Sequence, residues 1–338
     1  MIFKSILCSL IISQFVFAGD SGVSGAFTDV GYSVKSISMG SVQSTLNQGA
    51  MSSFLNPASL SHQNAKHSLY LNSFKHMGIF NYMVFAYSTS IYRDIPLGIM
   101  VISSGDEAWS ENQIGLSAGH RGLIDGLSLG ITFKMLLTSF GNNEDGSLII
   151  NGVEQQVTGS GFGFGVNGGA QFQFSENQQI ALVVKNLISS VGYNSKGGGE
   201  DSEGNNYATG NYSEAIPAQY TLGYRISNES STVLFDIVDV VSGNNPAEIR
   251  LGSEWKIDWF NLKKDIVNLR FGYRSELMSG DNAIYSFGTG FNYEQNISGT
   301  GLLLLLHVDR IGLNLGYLVR PGWNDMSELR FEIKFDFN

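Results

Sequence analysis

Along most of the chain apolar and polar positions alternate with period two, the mark of strands with two unlike faces. Leu127, Leu129, Ile131, Phe133, Met135 and Leu137 fall on one face, with Ser128, Gly130, Thr132, Lys134 and Thr138 opposite; Leu136 alone breaks the pattern. A second segment sets Phe162, Phe164, Val166, Ala170, Phe172 and Phe174 against Gly161, Gly163, Gly165, Asn167, Gly169, Gln171 and Gln173. The same reading predicts strands over 67–76, 80–90, 96–103, 111–120, 178–189, 217–227, 231–241, 247–258, 265–274, 283–294, 308–319 and 328–337, which brings the count to 14. These segments exceed the five or six residues usual in globular sheets.

Beyond residue 18 no apolar run approaches the ~18 residues of a membrane-crossing helix; Tyr82 to Tyr87 and Leu302 to Leu306 are among the longest. An even number of segments of about ten residues, each apolar on one face and polar or glycine on the other, is what a transmembrane barrel requires. In hydrocarbon only helices and closed barrels satisfy every backbone donor, and the helices are excluded. The pattern thus predicts an all-β fold, a transmembrane antiparallel β-barrel of about 14 strands. A secreted sandwich or propeller would also alternate. The length of the apolar faces, the strand at the end of the chain and the glycine opposite the apolar face favour the barrel.

Composition sharpens this picture. Glycine supplies 41 of 338 residues and charged residues only 15%, against a usual charged share of about 25%. The formal charge of −10 argues against a nucleic-acid surface. Aromatic residues recur near strand ends, among them Tyr70, Tyr87, Tyr92, Trp109, Tyr193, Tyr224, Trp255, Trp259, Tyr273, Tyr293, Tyr317 and Trp323. They suit two interfacial girdles, or the ordinary abundance of tyrosine in strands.

The first residues read as an export signal: Lys4, a mainly apolar stretch from Ile6 to Phe17, and Ala18 before Gly19-Asp20. Residues 1–18 are therefore expected to be a cleaved signal peptide, the alternative being an anchor helix, for which the stretch is short. The only cysteine, Cys8, lies in this segment, so a cleaved chain has no thiol for disulfides, metals or catalysis.

Residues 19–65 do not alternate, and they carry Met39, Val42, Leu46, Met51, Phe54 and Leu55 among Ser, Gly, Asn and Gln. This composition predicts a segment folded into the lumen or at the barrel mouth, ahead of a barrel spanning 66–338. Residues 190–216 and 140–158 read as long loops, the latter with a hairpin turn at Asn151-Gly152.

No catalytic constellation is present. His62, His67, His76, His120 and His307 show no metal-ligand spacing, and Gly161 to Gly165 continue a strand instead of opening a phosphate-binding helix. Asn142 to Gly146 and Glu200 to Asn206 are oxygen-rich, but neither has the spacing of a calcium loop. No cofactor, metal or catalytic residue is expected.

Two short stretches carry a resemblance. Phe27, Asp29, Gly31, Ser33, Lys35 and Ser36 lead into Ser38-Met39-Gly40, and Asn56-Pro57-Ala58 follows with Leu60. Downstream stand Val183-Val184-Lys185-Asn186-Leu187, Ile216-Pro217, Leu222-Gly223-Tyr224, Asp236, Leu251-Gly252-Ser253-Glu254-Trp255 and Leu269-Arg270-Phe271-Gly272-Tyr273. Together these resemble the PorV/PorQ family of outer-membrane proteins over nearly the whole expected mature chain. The Asn-Pro-Ala element also occurs in FadL-type channels for hydrophobic solutes. Pro57 biases Asn56 towards an extended backbone, a turn that either sets the approach to the first strand or serves a plug or gate.

The resemblance implies a FadL-like barrel in the outer membrane with an N-terminal plug, for which Met39, Gly40, Asn56, Pro57 and Ala58 are the plug or gate candidates. It implies a shuttle for secreted cargo proteins, as in type IX secretion; the alternative is a FadL-like channel for hydrophobic small molecules. Phe331, Ile333, Phe335 and Phe337 on the last strand resemble the signal read by the barrel-insertion machinery. Expected partners are outer-membrane lipid, that machinery, and secreted cargo or hydrophobic solutes, with no nucleic acid.

Overall fold

The computed structural model describes residues 30–78, 80–92, 95–106, 108–122, 124–141, 149–150, 153–154, 158–196, 210–240, 247–257, 266–277, 283–294, 308–321 and 327–337. The first strands are β1 (His67–His76), β2 (Phe80–Tyr92), β3 (Ile95–Gly105), β4 (Trp109–Arg121) and β5 (Leu127–Phe140). Two short strands, β6 (Ile149–Ile150) and β7 (Val153–Glu154), pair with each other on either side of residues 151–152, where the Asn-Gly pair predicts a turn. Then come β8 (Thr158–Ser175), β9 (Gln178–Lys196), β10 (Asn211–Ala215) and β11 (Gln219–Ser227). The wall is completed by β12 (Ser231–Val240), β13 (Glu248–Ile257), β14 (Val267–Glu276), β15 (Ile284–Glu294), β16 (Val308–Val319) and β17 (Glu328–Phe337).

Every neighbouring pair is antiparallel, and the sheet closes on itself where β17 returns to β1, with His67 opposite Phe337 and Asn72 opposite Glu332. The result is a closed 14-stranded barrel with β10 as one extra strand and the β6–β7 hairpin outside it. Wall strands run from 9 residues in β11 to 19 in β9. Those lengths suit tilted strands crossing a bilayer.

The alternation sorts the two faces as expected. Leu116, Phe133, Phe162 and Leu329 lie on the outside with 60%, 59%, 59% and 66% of their surface exposed, which only a hydrocarbon surrounding makes favourable. Ser128, Thr132, Lys134, Asn167 and Gln171 are buried on the inside. Trp255, Tyr293 and Tyr317 stand exposed on the outer face, where girdle residues belong, whereas Trp109 falls on the inward face of β4 at its end and stacks on Phe140. Tyr70 does not: it points inward and is buried against the lumen segment, and Tyr193 also turns in. Trp259 and Trp323 lie outside the described residues.

The expected loop at 190–216 is shorter than the sequence suggests. β9 continues to Lys196, and β10 pairs with its second half while β11 pairs with its first, Ala215 opposite Ser190 and Gln219 opposite Lys185. Val191, Ile216 and Leu136 are buried together beside Tyr193, and this apolar contact holds the extension. The same cluster accounts for Leu136, an apolar residue among the polar ones on the inner face of β5. Between β10 and β11 stands Pro217, which cannot donate to a ladder. Opposite it Asn186 takes a positive φ of 54°, and the β8–β9 register shifts between Val166 and Gly168.

Residues 30–66 occupy the interior. They form α1 (Val34–Ile37), a tight turn at Gly49–Met51, α2 (Ser52–Leu55) and a 3-10 turn at Pro57–His62. None of the described helices is long and apolar enough to cross a membrane.

Candidate functional site: the lumen segment and its wall

A segment can lie against a sheet this closely only where the sheet lacks side chains. A Cβ at Gly98 would meet Ser53, at Gly130 the backbone of Pro57 and Ala58, at Gly169 the Asn56 carboxamide, and at Gly223 the Ser44 hydroxyl. On the other side Gly252 meets Met39, Gly272 meets Gly40, and Gly288 and Gly316 meet Ser38. The glycines of the polar face thus form a belt around the lumen on which residues 38–60 are seated.

The sequence-chosen residues are all in this contact. Met39 is fully buried beside Gly252. Gly40 has φ +67°, and a side chain there would strike the carbonyls of Leu251 and Tyr273, so both its backbone angle and its surroundings demand glycine. Its N–H donates to Ser286 Oγ at 3.0 Å. Asn56 is extended (φ −153°, ψ 110°), accepts from the Ala58 N–H at 3.0 Å and donates Nδ2 to the Ser44 carbonyl at 2.6 Å. Pro57 opens the following turn, where its missing N–H costs nothing.

The wall holds the segment by two kinds of contact. The arm up to residue 48 is tied to charges. Asp236, fully buried, accepts from the N–H groups of Gln43 (2.8 Å) and Ser44 (3.2 Å) and from the Ser44 hydroxyl. Glu332 accepts from the Val34 N–H at 2.5 Å and from the Tyr70 hydroxyl. Arg330 donates Nη1 to the Gly31 carbonyl at 2.5 Å and stacks over the Phe74 ring at 3.8 Å. Lys35 Nζ meets Glu254 at 3.0 Å, and Glu254 in turn accepts from Arg270 at 2.6 Å. Burial pulls the Lys35 ammonium down from its usual range, with Glu254 pushing the other way. Arg250 and Lys185 donate to the Ser41 carbonyl and the Gln43 side chain.

Apart from His62, which meets Arg121 at 3.0 Å, the arm from residue 49 is seated by shape and by neutral groups. Met51, Phe54 and Leu55 share one apolar cluster with Val42, Tyr32, Phe74, Tyr82, Val84, Ala86, Met100 and Ile102. Tyr32 lies 4.9 Å from Phe54 and 6.2 Å from Tyr82, ring centre to ring centre. Thr132 donates to the Ser53 carbonyl and Gln171 to the Ser59 hydroxyl. A small cleft lies between the arms, lined by Gly31, Tyr32, Phe54, Lys185, Arg250 and Arg274.

Sequence reasoning assigned no part in holding the plug to the wall charges Asp236, Arg250, Glu254, Arg270, Arg330 and Glu332, although Asp236, Glu254 and Arg270 stand in the stretches that carry the resemblance. Their signal was present, since each falls on the polar face of its strand, where a solvated channel and a filled lumen read alike. Among the described residues no group of three metal-ligating side chains occurs. His62, His67 and His76 bond to Arg121, Tyr87 and Arg330. His307 and both oxygen-rich loops lie outside the described residues, as do residues 1–18.

No protein-family model and no curated protein sequence matches the chain. Solved structures do match it. The toluene transporter TbuX of Ralstonia pickettii superposes with a TM-score of 0.56 at 12% identity, over 93% of this chain and 100% of that one. The toluene transporter TodX of Pseudomonas putida gives 0.53 at 14%, over 90% and 97%. A FadL homologue of Pseudomonas aeruginosa gives 0.52 at 11%, over 91% and 98%. In fold, this chain is an outer-membrane-type β-barrel like those of the FadL-type channels.

Proposed function

We propose that the chain is an outer-membrane channel for hydrophobic small molecules, in which residues 30–66 act as a plug that moves to let solute pass. The observation that carries this reading is the unequal attachment of the plug. Its first arm is fixed by the Lys35–Glu254 ion pair and by hydrogen bonds to buried charged groups, and breaking one of these leaves a charge without its partner. The Gly49–Leu55 part of the second arm faces β1, β2 and β3 across an apolar seam of Met51, Phe54, Leu55, Val84, Met100 and Ile102, while the Pro57–His62 turn rests on β4, β5 and β8. A hydrophobic molecule that enters this seam replaces apolar contacts by apolar contacts, so parting it costs little beyond the plug's own ordering.

His67 and Phe337 mark the end of the barrel where the plug enters, which in this reading faces the periplasm. Residues 1–18 then direct export, and Phe331, Ile333, Phe335 and Phe337 present the insertion signal. Met39, Gly40, Asn56, Pro57 and Ala58 set the two bends about which the arms pivot. The toluene transport of TbuX and TodX supports the solute class. The cargo-shuttle role implied by the PorV/PorQ resemblance would draw on loops that lie largely outside the described residues, and no described feature favours it.

Purified protein in liposomes tests the proposal. Vesicles carrying it should take up labelled toluene faster than empty vesicles, with no gain for a sugar of similar size. Equal toluene uptake by both, or sugar uptake as fast as toluene, would refute it.

A further inference from the structure

At the end where the plug enters, the inner wall carries a row of polar residues with no acid in it. Arg121 of β4 is opposite Ser128 of β5, and Ser128 is opposite Gln171 of β8. Two positions along, Gln173 is opposite Gln179 of β9, and Gln179 is opposite Arg225 of β11. The plug adds His62, whose ring nitrogens meet Arg121 at 3.0 Å and Ser128 at 3.1 Å.

Several buried polar groups of this row lack a partner among the described residues, as do some on the plug itself, Gln43 Nε2 and Gln48 Nε2 among them. Gln179 is fully buried, yet neither its Nε2 nor its Oε1 has a partner among the described residues. The buried Nε of Arg225 and Oε1 of Gln171 are also without one. Orphaned buried groups of this kind are costly and call for an occupant. No ion pair joins Arg121 or Arg225 to a carboxylate among the described residues, Asp125 and Glu176 on the nearby turns included. The local potential is positive, and His62 senses it. Burial first, then the charges of Arg121 and Arg225, hold its imidazole at about 4.

We infer that Arg121, Arg225, Gln179 and His62 form a binding site for a small hydrated oxyanion, a carboxylate or phosphate group, at the plug-side mouth of the barrel. The guanidiniums supply charge and fork geometry, and the Gln179 carboxamide supplies a donor to the anion. The orphaned oxygens of Gln171 and Gln179 take up a hydroxyl or a water carried in with it. The site does not depend on hydrocarbon passage, and it stands whether or not the seam opens.

Calorimetry on the full chain in non-ionic detergent at low salt tests it, with inorganic phosphate and octanoate as separate probes. At least one should bind with a millimolar or tighter Kd, and Arg225→Gln and Gln179→Leu should each weaken that binding tenfold or more. Each variant must keep the wild-type shift in gel mobility on heating, which reports a folded barrel. Phosphate binding identifies a free-anion site; octanoate binding without phosphate identifies a site for the head group of an amphiphile. Bound anion should also raise the His62 titration midpoint followed by NMR. If neither probe binds up to about 10 mM, or if both variants bind as the wild type does, the inference fails.

Discussion

At the scale of single residues the account rests on glycines and on one buried carboxylate. Gly130 lies where Pro57 and Ala58 touch the wall, whereas nothing lies within 4 Å of a Cβ built on Gly168. Gly130→Leu should push the turn off its seat and lower stability by about 1–3 kcal/mol, while Gly168→Ala should leave the plug as it is. Limited proteolysis within residues 49–62 reads the difference. Asp236→Ala strips the N–H groups of Gln43 and Ser44 of their acceptor and should cost about 3 kcal/mol of plug docking. Hydrogen exchange at those two amides should then speed up, and unchanged protection would remove Asp236 from the attachment. His62 adds a pH dependence. Docked it titrates at about 4 and undocked near 6.5, so between those values the undocked segment holds the extra proton. Docking is therefore favoured above 6.5 and weakens as the pH falls towards 4, by about 2 kcal/mol at pH 5. His62→Gln should flatten this profile between pH 7 and 5 in the same exchange measurement.

At the scale of elements the strands were legible because their period is independent of what surrounds them. The expected segments 67–76, 283–294, 308–319 and 328–337 differ from β1, β15, β16 and β17 by at most one residue at an end. What periodicity could not supply was the end of β9 and the existence of β10, since Gly197 to Asp201 and Glu203 to Asn206 give the whole stretch 190–216 the turn chemistry of a loop. Their pairing is secured by Leu136 and Ile216, which are remote in sequence. The wall charges were hidden for a different reason. An inward Asp or Arg looks the same in a strand pattern whether it meets water or a backbone N–H of the plug. The short Asn-Pro-Ala and Met-Gly stretches were visible through the family resemblance, and Asn56-Pro57 also through the backbone geometry that proline imposes. At β17, Phe335 and Phe337 lie on the outer face where the barrel closes on β1. Replacing both with Asp should reduce the heat-modifiable form in outer membranes severalfold, and wild-type amounts would show that the last strand carries no assembly information.

At the scale of the whole molecule, a barrel with a lipid-facing apolar exterior encloses a segment held firmly on one side and loosely on the other. The central claim is that solute passes where the hold is loose. Ser53 Cβ lies 3.5 Å from the Cβ that a side chain at Gly98 would bring, within the range that a disulfide spans. The chain has no cysteine other than Cys8 to compete. A Ser53→Cys/Gly98→Cys variant, oxidised and checked by mass for loss of two hydrogens, staples the second arm to β3 across the seam. The measurement is labelled-toluene uptake by liposomes carrying this variant, before and after reduction with dithiothreitol. The account predicts uptake near that of empty vesicles when oxidised and recovery to the wild-type rate on reduction. Wild-type uptake with the staple intact would show that solute passes without parting this seam, and would contradict it.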